Sequence, residues 1–118
     1  LLILGFHHAR DPNIPLVIMD GHVIIHGAEG LEIIGSDVFE ALGIDAMMHL
    51  VAPPKRILEN RLKDAGRVRP LLTEKELEEH QSISLFSAQK VCEILNIPCV
   101  KITVTEIDLA RRFFLSLQ

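Results

Sequence analysis

The chain has 118 residues, 48% of them hydrophobic, which bounds it to one domain or part of one and allows a substantial buried core. Its five Phe, with no Trp or Tyr, make the core aliphatic and favour a helix–sheet sandwich over a small all-β domain. A net charge of −4 excludes a general affinity for nucleic acid or for membrane surfaces, so any bound anion must be held by a local cluster of Arg or Lys. The two cysteines, Cys92 and Cys99, are too few for a disulfide framework and read as buried thiols of a reducing, cytoplasmic setting.

Residues 1–10 read as the end of a helix, closed by Asp11, Pro12 and Asn13. The opening run Leu1 to Leu4 is apolar and lacks a Met, as if cut from a longer chain. Residues 15–20 form an apolar run without alternation that ends in Asp20, the pattern of a strand covered on both faces. Residues 21–35 carry Gly21, Gly27, Gly30 and Gly35 and predict an irregular excursion, in which Val23, Ile24 and Ile25 form a short hairpin arm. Ser36 is a candidate N-cap for a short helix ended by Gly43.

A second buried strand is expected over 45–52. Pro53 and Pro54 then open a helix with Ile57, Leu58 and Leu62 on its apolar face, ended by Asp64, Ala65 and Gly66. Thr73 and Glu76 have the spacing of a capping box, and a long helix follows to about Asn96. Its inner stripe runs through Leu77, Gln81, Ser84, Ala88, Val91 and Leu95. A third strand follows over 99–104. Thr105 is placed to cap a last helix that turns Ile107, Ala110, Phe113 and Phe114 inward. This alternation implies parallel β-α-β units in an α/β fold, a parallel sheet flanked by helices.

Ligands of such sheets sit beyond the carboxyl ends of the strands, which points to Asp20, Gly21 and His22. A carboxylate there can hold Mg²⁺ through oxygen, or it can simply begin a turn. Arg61, Arg67 and Arg69, grouped near a helix end and a glycine, form a local anion site; the bland alternative is a solvated face with Arg61 paired to Glu59 or Asp64. Were 20–26 extended, Asp20, His22 and His26 would share a side and present a zinc-like trio. His7, His8 and His49 read as ordinary surface or core residues. The phosphate-cradling pattern G-x-x-x-x-G-K-[ST] does not occur, and no glycine is followed by Lys.

Taken in order, the segment Val17 to His22, the glycine-rich excursion, the strand to Ala52, the run Ile57 to Arg69, then Glu79-His80-Gln81 and Val100 to Ile102 resemble the archaeal-type adenylate kinases from about residue 14 to 104. The basic run reads Arg61-x-x-Asp64-x-x-Arg67-x-Arg69, similar to that family's lid. The resemblance implies a P-loop kinase-like fold, incomplete at its N-terminus, with residues 1–118 as the C-terminal part of a single domain and a lid over about 61–72. It implies ATP and Mg²⁺ as cofactors, and a nucleotide or another small-molecule phosphate acceptor as partner. Asp20 would be the magnesium-side carboxylate, with Gly21 and His22 near the acceptor. Arg61, Arg67 and Arg69 would close over the phosphates, and His80 and Gln81 would lie behind the lid. The chain departs from that family in lacking the phosphate loop, in Gly21 where the family has Thr, and in Ser84-Leu85 where it has Asn-Arg. A non-catalytic nucleotide-binding or regulatory module on the same scaffold is the alternative reading.

Overall fold

The computed structural model describes residues 2–27, 29–63 and 73–117. The first helix, α1, spans Leu2–Ala9. An antiparallel hairpin follows, β1 (Ile24–Gly27) with β2 (Gly30–Ile33), in a register that sets Ile24 opposite Ile33 and Gly27 opposite Gly30. Gly30 closes the turn at φ +113°, a backbone conformation that a residue with a Cβ adopts only under strain. The hairpin arm expected at 23–25 is therefore present, shifted by one residue.

Helix α2 (Ser36–Leu42) follows directly. Ser36 is its first residue rather than its cap; Gly35 holds the cap position and no side chain caps the helix. The far end is as the sequence implies, with Gly43 in the left-handed region and its N–H returned to the carbonyls of Glu40 and Phe39. Strand β3 (Met47–Val51) is shorter than the 45–52 expected. It leads through Pro53 into α3 (Pro54–Lys63); the helix end expected at Asp64, Ala65 and Gly66 lies outside the described residues.

Helix α4 (Glu74–Leu95) is the longest element and the centre of the packing. The Thr73 hydroxyl accepts from the Glu76 N–H at 3.1 Å while the Glu76 carboxylate accepts from the Thr73 N–H, a complete capping box. Asn96 ends the helix at φ 55°. Leu77, Ser87, Ala88, Val91 and Cys92 of α4 are buried, together with Val23, Leu42 and Ile102. The inner stripe read from the sequence is thus the core face.

Strand β4 (Cys99–Thr103) lies parallel to β3, with Met47 opposite Cys99 and Val51 opposite Thr103. The α3–α4 crossover between them supplies the β-α-β unit that the alternation implied. The last helix, α5 (Ile107–Ser116), is not capped by Thr105. Glu106 occupies the cap position, and its carboxylate accepts from the N–H and hydroxyl of Thr103 at 2.9 and 3.0 Å. Phe113 and Phe114 turn partly inward, but Ile107 is 73% exposed, against the inward orientation expected.

The run 15–20 is where the sequence reading fails. It pairs with no strand among the described residues, and Val17, Ile18 and Met19 are 40, 64 and 41% exposed. A strand is a property of a pair: an apolar run of the right length stays irregular when nothing offers it a ladder of hydrogen bonds. Among the described residues β3 is paired on one edge only, by β4. No described helix is long and apolar enough to cross a membrane.

Candidate functional site

One cavity of about 860 Å³ occupies the side of the molecule between the extended run 15–22, β3 and α4. Asp20, Gly21 and His22 line it from the end of the apolar run, Arg61 from the last turn of α3, and His80 and Gln81 from the first half of α4. Six of the eight residues singled out in the sequence therefore face one space, although they span sixty positions of chain. The other two, Arg67 and Arg69, lie outside the described residues. Much of the remaining wall is apolar, including Met48 and Leu50 of β3 and Phe113 and Phe114 of α5.

The polar wall is built on α4. The Gln81 carboxamide spans to the end of β3, where its oxygen accepts from the Ala52 N–H at 2.8 Å and its nitrogen donates to the Ala52 carbonyl at 2.8 Å. This double clamp takes the place of a ladder partner for a backbone that has just left the sheet. Gln81 keeps one N–H and one lone pair free for a further contact. One turn on, the Ser84 hydroxyl lies 2.9 Å from Nε2 of His49. His49 Nδ1 is buried and has no hydrogen-bond partner among the described residues. Burial holds the His49 imidazole below its ordinary value of 6.5, so it is neutral at pH 7. Sequence reasoning assigned His49 no part here: a lone histidine in an apolar strand carries no spacing signal, and its Ser84 partner is 35 residues away.

Arg61 is half-buried, and its enclosed Nε has no hydrogen-bond partner among the described residues. It forms no ion pair with Glu59 among the described residues, and Asp64 lies outside them. A guanidinium in that state is a donor in want of an acceptor, since an unmet buried N–H costs on the order of 1–3 kcal/mol. An anion entering the cavity would supply the acceptor.

Asp20 and His22 are both exposed. No group of three or more His, Cys, Asp or Glu able to hold a metal occurs among the described residues; the side chain of His26, the third member of the zinc-like trio, lies outside them. A single carboxylate is nevertheless the kind of protein ligand that Mg²⁺ accepts when phosphate oxygens and waters complete its shell. The residues present thus fit a magnesium–phosphate ligand and do not form a closed metal cage.

A family model described as AAA domain matches residues 7–78, well over half of the chain. The chain belongs to this family. AAA domains of this kind are P-loop NTPase-type, nucleotide-binding domains found in kinases, which agrees with the parallel β3–β4 pair and the helical crossover. The AAA-domain match takes in Asp20, Gly21, His22, Arg61, Arg67 and Arg69 and stops just short of His80 and Gln81. No curated protein matches the chain.

Proposed function

We propose that this chain forms the acceptor and lid side of an ATP-dependent phosphotransferase acting on a nucleotide or another small-molecule phosphate acceptor. The observation that carries the reading is the partnerless, enclosed Nε of Arg61 in the cavity wall that also contains Asp20, His22, His80 and Gln81. Phosphoryl transfer needs little covalent chemistry from the protein; it needs cations and donors fixed around oxygens that gain charge.

In this reading Arg61 donates to phosphate oxygens from α3, joined by Arg67 and Arg69 from the lid. Asp20 holds Mg²⁺, which when bound neutralises charge on the phosphate oxygens. Gly21, which leaves open space where a side chain would stand, admits the acceptor beside His22. Gln81 acts by holding the end of β3 in place, and His80 lines the wall beside it. The resemblance to archaeal-type adenylate kinases supports the assignment of the lid.

The phosphate-cradling loop is supplied, on this proposal, by polypeptide outside these 118 residues. A strand-then-loop unit has a natural berth between the unpaired run 15–20 and the open edge of β3. It would cover Val17, Ile18 and Met19 and deliver backbone N–H groups beside Asp20.

A coupled kinase assay on the full-length protein, run across a panel of nucleoside monophosphates, tests the reading. Arg61→Ala should lower kcat/KM by about 10²–10³, as loss of one preorganised donor does. Asp20→Asn should lower kcat and raise the Mg²⁺ concentration needed for half-maximal rate. Turnover unaffected by Arg61→Ala would refute the assignment. One observation favours the non-catalytic alternative: Ser84 stands where the resembled family has Asn-Arg, and its hydroxyl is engaged by His49. That alternative predicts nucleotide binding without turnover for every acceptor.

A further inference from the structure

Helix α4 has a second apolar stripe, distinct from its core face. Ile83, Phe86 and Ile94 are 38, 65 and 59% exposed, and with Lys90 they are spaced by three and four residues along one line of the helix. At 3.6 residues per turn this line occupies roughly a quarter of the circumference and points away from Leu77, Ala88 and Val91. The Lys90 ammonium lies 5.8 Å from the Phe86 ring centroid, so the stripe is a ring and aliphatic stem rather than a charged face. Single exposed apolar residues are ordinary; a line of them with a largely bare phenyl ring is a contact surface.

The charges beside this line say what it fits. Lys75 and Glu79 flank its start, and Lys90 and Glu93 its end, all four exposed. Laid antiparallel on a second copy about a two-fold axis near Ser84 and Leu85, Glu79 meets Lys90 of the other copy and Lys75 meets Glu93. Ile83 then packs on Phe86. Each pairing occurs twice, because a two-fold contact is self-complementary. A parallel arrangement would oppose Glu79 to Glu79 and Lys90 to Lys90 and is disfavoured.

We infer that the outer face of α4 is a homodimer surface, in which two copies pair antiparallel through Ile83, Phe86 and Ile94 with Glu79–Lys90 contacts at both ends. The helix is about 33 Å long, so one helix pair buries roughly 600–800 Å² in total. That is below the area of standard stable complexes, so the dimer is weak and reversible. The inference does not depend on the phosphotransferase reading.

Sedimentation velocity of the protein from about 5 to about 500 μM tests it. The expected result is reversible, concentration-dependent dimerisation. Phe86→Glu should raise the Kd at least about tenfold. Lys90→Glu and Glu79→Lys should each weaken association, and the two together should restore it, because the exchanged charges again face opposite signs. A monomer at every concentration overturns the inference. So does self-association that ignores Phe86→Glu and both charge changes, which would place the contact elsewhere, as on the bare run at Val17 to Met19. All the altered side chains are exposed, and retained helicity and thermal unfolding verify the fold of each variant.

Discussion

Replacing Gln81 with Leu should destabilise the fold well beyond what an ordinary exposed substitution on α4 does. Leu matches the volume of Gln and is at least as good a helix former, so neither packing nor propensity penalises the change. What is lost are the two 2.8 Å hydrogen bonds to Ala52. Each is worth about 1 kcal/mol net, and the half-buried Ala52 N–H and carbonyl left behind add part of a desolvation cost, for about 2–3 kcal/mol in total. With an unfolding entropy of about 2.1 cal/mol/K per residue, a chain of this size loses about 4 °C in Tm per kcal/mol, hence about 10 °C. Urea unfolding at constant m-value is the assay. Gln81→Glu keeps the acceptor for the Ala52 N–H but turns an oxygen towards the Ala52 carbonyl, and should cost at least half as much. Gln89→Leu, at an exposed position of the same helix, is the control and should stay within about 0.5 kcal/mol of the parent. If Gln81→Leu and Gln89→Leu unfold at the same urea concentration, the clamp does not hold β3 and the reasoning is wrong.

Two further outcomes follow from the same geometry. Thr73→Ala removes the capping box and should cost about 1 kcal/mol, measured by urea unfolding, with Thr73→Ser recovering most of it. The pH dependence of stability should carry the mark of His49. Because its folded pKa lies below 6.5, the unfolded chain binds a proton at higher pH than the folded chain does. Stability is then level above 6.5 and falls as pH drops below that value, until the folded imidazole is itself protonated. His49→Gln should flatten this slope in unfolding curves taken between about pH 5 and 7.5; an unchanged slope would show that His49 does not titrate differently in the two states.

The elements legible in the sequence were those written in local chemistry. Thr73 with Glu76, and Gly43 at a helix end, act on backbone groups within a turn of themselves, so spacing alone reveals them. Of the hairpin only the arm at 23–25 was legible; its turn at Gly30 and its partner strand were read as part of an irregular stretch. The run 15–20 misled because composition reports only that a segment suits a sheet, not whether a neighbour is there to receive it. Thr105 misled for a different reason: the helix begins one position later, behind Glu106, and the Thr105 hydroxyl lies 3.1 Å from that of Thr103 instead of on a helix N–H. Asp20, His22 and Arg61 line the cavity, although the strand whose end was to place Asp20 and His22 is not formed. The bond between His49 and Ser84 left no trace, since it exists only once β3 has docked on α4.

The pairing of Met47 with Cys99 has a kinetic consequence. The two residues are about fifty positions apart, so β3 and β4 meet only after a long stretch of chain has been drawn into a loop. The hairpin around Gly30, by contrast, closes over a handful of residues and can form within microseconds. Assembly of this molecule is therefore paced by the parallel ladder of β3 and β4, and whatever hastens the encounter of those two segments will hasten the appearance of the native state.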